Sequence, residues 1–430
     1  MNTLILLVVF AVMVCMNVPV AVCLGMAALV FLLVTPDYSI SVIPTLIFGG
    51  IDSFPLMAIP FFIMAGDMMR RSGVLPGLVA LADSLVGHLR GGLAYVNIVS
   101  SMFFSGVTGV AVADTAAIGT MLIPPMIQQG YRPAFCAAVT AASSMMGPII
   151  PPSVAMIIYA NVFGGGISVA KLFLLGIVPG CLLGFGMMIL VFAFARWFGV
   201  PPVSTGRSFS LERVFRQLWK ALPGLMVPVI ILGGIIGGVF TPTEAGAIAV
   251  AYAMLVGILT GNLSLRDVAD SLVESCKISS VVYLLLATAK LVSFILASQQ
   301  IPQLVAEAFL SWTASPYIFL LLTVLFLLSL GFVMEAVATM IMLVPVLGPA
   351  ALSYGIDPHI FGLVVVMTVQ AALITPPVAL GLFIACPIAK CKIEEATKYI
   401  WPFLVLMFSV IMLVGCVPGI TLWLVDLFGI

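Results

Sequence analysis

Residues 143–160 read SSMMGPIIPPSVAMIIYA and residues 369–385 read VQAALITPPVALGLFIA. Both stretches are apolar enough to lie in a membrane, and both carry Pro-Pro near the middle. Proline removes a backbone donor and clashes with the preceding helical turn, so each stretch is a helix that stops at mid-depth and restarts. Such a break leaves about four unpaired backbone groups at each new helix end. Backbone of that kind survives at membrane depth only where it is buried in protein or lines a cavity.

Composition agrees with a membrane setting. Of 430 residues, 63% are hydrophobic and 7% charged, where a soluble domain is roughly a quarter charged. The chain reads as an all-α, polytopic protein of the lipid bilayer. Zero net charge and two histidines, His88 and His359, exclude a nucleic-acid surface, which needs a basic patch. Eight scattered cysteines without a CxxC pair read as packing residues. The first basic residue is Arg70, so a basic n-region is missing and the first apolar stretch reads as a retained helix. The sequence contains no P-loop, no HExxH and no histidine near a serine motif, which leaves an ATPase or a hydrolase without support. No cofactor is expected.

About 30 Å of hydrocarbon needs roughly 20 apolar residues. Nine spans are expected, at 3–34, 42–69, 134–160, 172–195, 222–240, 245–260, 279–297, 360–388 and 400–424. Two more apolar regions, 93–125 and 317–352, are broken by SGVTGVAVADT and GFVMEAVAT and read as re-entrant hairpins. If the first hairpin enters from the cytoplasm, every Lys and Arg except Lys171 and Lys290 falls on the cytoplasmic side, as the positive-inside rule requires. That layout puts the N-terminus inside and the C-terminus outside. Segments 76–89 and 302–313 read as membrane-parallel helices.

The halves repeat. Pro124 follows the first polar tip and Pro151-Pro152 comes 27 residues later; Pro345 follows the second and Pro376-Pro377 comes 31 later. The division is a first half at 1–195, a polar cytoplasmic connector at 196–221 and a second half at 222–430, with opposite orientations. Inverted repeats with interrupted helices are the pattern of secondary transporters. A channel would need continuous pore-lining helices instead.

Several segments in order carry a family resemblance: GGIDSFPLMAIPFFIMAGDMM (49–69), SGVTGVAVADTAAIGTMLIP (105–124), SSMMGPIIPPS (143–153), GGVFTPTEAGA (237–247) and ITPPVALGLF (374–383). The chain resembles the large membrane subunit of tripartite ATP-independent periplasmic (TRAP) transporters. The resemblance implies an elevator-type importer in the bacterial inner membrane, driven by sodium. It also implies a carboxylate substrate, a periplasmic substrate-binding protein and a small four-helix membrane subunit as partners. The alternative is a stand-alone sodium/carboxylate symporter of the related divalent-anion superfamily.

Carried over by position, the sodium ligands would be Ser105, Gly106, Thr108, Ser143, Gly147 and Pro151 in the first half. In the second they would be Glu335, Ala338, Ile374 and Thr375. Asp114, Thr115, Ser144, Pro152, Thr339 and Pro376 would face the substrate. Where the sister symporters have Ser-Asn-Thr at the hairpin tips, this chain has Ala113-Asp114-Thr115 and Val337-Ala338-Thr339. Asp114 and Glu335 could either sit near sodium or cap a broken helix. Lys290, inside a span, reads as structural or facing the small subunit. Glu244 reads as a first-turn acid favoured by the helix dipole.

Overall fold

A computed structural model describes residues 2–35, 41–201, 209–331, 334–376 and 379–429. Arg207 and Pro377, both part of the sequence reading, lie outside the described residues. All regular structure among the described residues is helical.

The chain opens with α1 (Asn2–Cys15) and α2 (Val20–Val34). The expected single span at 3–34 is therefore two helices. Asn17 turns in the left-handed region at φ 60° just before Pro19, and α1 folds back against α2. Leu6, near the far end of α1, is buried by that packing. A hairpin returns the chain to the side it came from, so the cytoplasmic placement of residue 2 loses its basis.

Next come α3 (Val42–Ile51), a 3-10 turn at Phe54–Met57, and α4 (Ala58–Arg71). Together they form one apolar stretch bent by 55°, long enough for one broken span or a re-entrant loop. Pro55 supplies no N–H at the bend. The backbone freed there is bonded from later helices: Thr243 donates to the Phe54 carbonyl at 3.0 Å and Tyr283 to the Leu56 carbonyl at 3.1 Å.

The first half continues with α5 (Leu75–Val86), the hairpin arms α6 (Gly92–Thr108) and α7 (Ala111–Gln128), and the broken pair α8 (Pro133–Ser144) and α9 (Val154–Phe163). It closes with α10 (Val169–Ala193) and a single turn, α11 (Ala195–Phe198). The second half brings α12 (Leu211–Ile236), α13 (Pro242–Thr260) and the 34-residue α14 (Leu265–Ser298). It then repeats the earlier order with α15 (Ile301–Trp312), the hairpin arms α16 (Pro316–Leu330) and α17 (Ala336–Ser353), and the broken pair α18 (Pro358–Ala372) and α19 (Leu380–Ala389). α20 (Ile393–Cys416) and α21 (Gly419–Phe428) end it.

Among the described residues six helices are long and apolar enough to cross a membrane, or seven counting the bent pair. The expected nine is higher because the stretches at 3–34, 134–160 and 360–388 each divide into two short helices, while the hairpin arm α17 adds one long apolar helix to the count. Both hairpins form where the sequence places them, and α5 and α15 occupy the two segments expected to run parallel to the membrane.

Packing interlocks the halves. α9 packs on α17 and α18 of the second half, while α19 packs on α7 and α8 of the first. Tyr159 of α9 donates to the Pro358 carbonyl at 2.6 Å. Outside this unit, α4 and α14 join at one end through charged and polar groups. Asp67 accepts from Arg71 at 2.8 Å and from Ser271 at 2.6 Å, and Arg71 also reaches Asp267 at 3.4 Å. Glu244 closes a capping box with Thr241 at the start of α13, the first-turn role that its sequence position suggests.

Candidate functional site

The tip of the first hairpin is Gly109-Val110. Gly109 sits at φ +63°, and an added Cβ there would collide with the Pro152 carbonyl oxygen. Both the dihedral and the contact call for glycine. The tip therefore rests on the Pro151-Pro152 break, and Gly106, one turn earlier, lies beside Pro151 and Pro228.

Asp114, in the first turn of α7, is completely buried. Thr108 donates its hydroxyl to Oδ1, and the Ser105 hydroxyl, which donates to the Ser101 carbonyl at 2.5 Å, lies 3.4 Å from Oδ2. Across the gap, a Cβ on Gly147 would lie 2.6 Å from Oδ2. Ser105, Thr108, Asp114 and Gly147 thus converge on one point between hairpin tip and break.

A polar seam leads away from it. Asn97, Ser101 and Ser105 recur every fourth residue along α6 and so share one helix face. Asn97 donates to Thr140 Oγ1 at 2.8 Å and accepts from Ser143 at 3.1 Å, and the Ser101 and Ser143 hydroxyls are 2.9 Å apart. Every member is fully buried. Asn97, Ser101 and Thr140 are missing from the sequence-derived set, although the four-residue spacing of Asn97, Ser101 and Ser105 was a usable signal. Ser143 joins this seam and Ser105 lies at its end.

Thr115 and Ser144 spend their hydroxyl protons on their own helices, at the Ala111 and Thr140 carbonyls, 2.9 and 2.8 Å away. Such back-bonding is common for hydroxyl residues within helices. Pro151 and Pro152 form the break itself, beyond which Ser153 caps α9 by accepting from the Met156 N–H at 3.2 Å.

In the second half, Glu335 is the N-cap of α17, accepting from the Ala338 N–H at 3.2 Å. Its backbone carbonyl accepts from Thr339 at 3.0 Å. The capping alternative therefore describes Glu335, whereas Asp114 is buried among hydroxyls. Gly331 at the tip abuts Ala372 at the end of α18, so tip and break meet here as well. Thr375 donates to the Ala371 carbonyl at 2.7 Å, and Pro376 follows it. Ile374 packs on Gly381, which also lies against Ala141 and Met145 of the first half. The two breaks are thereby close neighbours.

An all-helical, multi-pass membrane protein in which each half sets a hairpin tip against a broken helix has the architecture of a secondary transporter. Comparison with known proteins names it more closely. Residues 7–420 match the family described as "Tripartite ATP-independent periplasmic transporter, DctM component". The isethionate TRAP transporter permease DctMQ of Oleidesulfovibrio alaskensis is 38% identical over 417 residues, 96% of this chain. The chain spans 65% of that protein's length. The C4-dicarboxylate large permease DctM of Rhodobacter capsulatus is 34% identical and the sialic acid large permease SiaM of Vibrio cholerae 36%, each match covering 96% of both chains. The YdaH transporter of Alcanivorax borkumensis, whose topology is described as unusual, shares the fold. It superposes at a TM-score of 0.63 with 16% identity, covering 88% of this chain and 87% of its own. The chain belongs to the TRAP transporter large permease family. Its relatives are named as transporter permeases, and it is a transport protein, not an enzyme.

Proposed function

We propose that the chain is the membrane-crossing part of a sodium-driven importer in the bacterial inner membrane. It would move a small organic anion by sliding the hairpin-and-break unit against the remaining helices. The observation that carries the reading is the meeting of Asp114, Thr108, Ser105 and Gly147 between a hairpin tip and a break. A carboxylate, two hydroxyls and the bare backbone of a helix end make an oxygen-rich cluster, which suits a small hard cation and does not suit a softer metal. A buried acid is costly in a membrane unless compensated, and a bound sodium ion would compensate it.

The unit with two breaks is tied together by its own crossed packing, whereas α4 and α14 are held to each other by the Asp67 cluster. The unit also packs on α5, α12 and α14, the frame against which it would slide. The segments 105–115, 143–153, 335–339 and 374–377 contain no Lys, Arg or His. Substrate charge would therefore be met by sodium and by N–H groups at broken helix ends. The names of the relatives support an organic anion: isethionate, C4-dicarboxylates and sialic acid are those they carry. The family description and the fused DctMQ name support a small membrane subunit and a periplasmic binding protein as partners.

The test is uptake in proteoliposomes holding this chain with its small subunit, supplied with loaded binding protein. Uptake should need an inward sodium gradient and stop without the binding protein. Uptake by the chain alone from free substrate would instead favour the stand-alone symporter.

A further inference from the structure

A cavity of about 460 Å³ lies away from the hairpin tips, between α14 and the arm α17, with α3 and the end of α9 closing its sides. Most of its wall is apolar, including Val344, Phe163 and Leu352. Three polar side chains face it: Lys290, Ser293 one turn further along α14, and Asn161 from α9. None of the residues lining it is acidic. Among the described residues Lys290 has no hydrogen-bond or ion-pair partner; it is exposed, and its Cβ lies where α14 crosses Gly50 of α3.

A full positive charge inside an apolar span is expensive unless paired, and such residues ordinarily mark a ligand or ion path. A lysine that merely snorkels would point its ammonium along lipid. Lys290 lines a cavity together with a hydroxyl and an amide, with an apolar wall opposite. That combination fits a single negative oxygen-bearing group attached to a short carbon skeleton or to an acyl chain.

We infer that this cavity is an oxyanion-binding subsite, distinct from the hairpin tips, in which Lys290, Ser293 and Asn161 hold a carboxylate, sulfonate or phosphate group. An occupant touches α14 on one side and α17 on the other. The inference stands apart from sodium coupling, so either can fail without the other.

Site-resolved acetylation tests it. The full chain in phosphatidylcholine nanodiscs is treated with an amine-reactive acetyl ester, and the modification rate of Lys290 is read by peptide mass spectrometry. Three probes are compared: succinate, isethionate, and nanodiscs containing phosphatidylglycerol. Lys277, exposed at the other end of α14, is the internal control. A probe at ten times its dissociation constant should slow Lys290 by roughly tenfold and leave Lys277 unchanged. Protection by the free anions identifies a soluble source and protection by phosphatidylglycerol alone a lipid one; either supports the subsite. In the Asn161→Ala variant, protection should need a higher probe concentration. Equal Lys290 rates in all conditions would overturn the inference, and this arm uses the unaltered protein, so no folding defect can obscure it.

Discussion

The carboxylate of Asp114 lies directly on Gly147, so close that a Cβ there would come within 2.6 Å of Oδ2. These residues are 33 positions apart, one at the tip of the first hairpin and the other in the first helix break. Their contact is what makes the two elements a single site.

Gly147→Ala should disturb that site more than the fold. The added methyl must push the carboxylate aside, an overpacking penalty of about 1–3 kcal/mol. If the penalty falls on ion binding, half-saturating sodium should rise about tenfold or more. Sodium activation curves for uptake check this, with thermal unfolding of the same preparation as the control for folding.

Asp114→Asn keeps the volume but not the charge. Sodium-dependent uptake should be abolished, while the unfolding temperature changes little because Thr108 keeps an oxygen to bond and the Ser105 oxygen can accept from the new amide. Unaltered sodium activation in this variant would reduce Asp114 to a structural acid. Glu335→Gln, which changes a helix cap and can still accept from the Ala338 N–H, should be far milder.

Cutting the seam should cost stability. Asn97→Ala removes the donor to Thr140 and the acceptor from Ser143. Hydrogen bonds between membrane helices contribute about 0.6–2 kcal/mol, and the loss should appear as a lower unfolding temperature in nanodiscs. Ser409→Ala, on the exposed face of α20, bonds only its own helix and should be nearly silent.

Asp357 caps α18 outside the span, accepting from the N–H groups of His359 and Ile360 at 2.7 and 3.3 Å. Burial alone would raise its carboxyl. The two N–H donations, with the His359 and Lys171 side chains nearby, more than offset this and hold it below the ordinary carboxylate range. A lowered folded value means the stabilisation is complete above the unfolded value, near pH 4, and fades as pH falls through the folded one. Asp357→Ala should therefore cost about 0.5–1 kcal/mol at neutral pH, the low end for a cap because the side chain is 39% exposed. The gap from the unaltered chain should narrow below pH 4 in melts across a pH series.

How much of this the sequence revealed depends on the range of the interaction. Pro151-Pro152 and the polar run around Asp114 announce a break and a tip through local chemistry, and the structure places them together. The turn at Asn17-Val18-Pro19 is just as local, but it is short and sits in an apolar run that is long enough to pass for one span. Asn97 shares the four-residue spacing of Ser101 and Ser105, but its value lies in partners 43 and 46 positions away. The crossing of α9 and α19 into opposite halves has no sequence signature at all. It follows from filling space around two helices that each stop halfway.

The central claim is that sodium at the hairpin tips drives the substrate across. Its most direct test is uptake of radiolabelled substrate into proteoliposomes containing the chain and its small subunit, with loaded binding protein outside. An inward sodium gradient is compared with an equal potassium gradient. The account predicts concentrative uptake with sodium, rising sigmoidally with its concentration if both halves bind an ion, and none with potassium. Uptake of equal rate and extent in sodium-free buffer would contradict it.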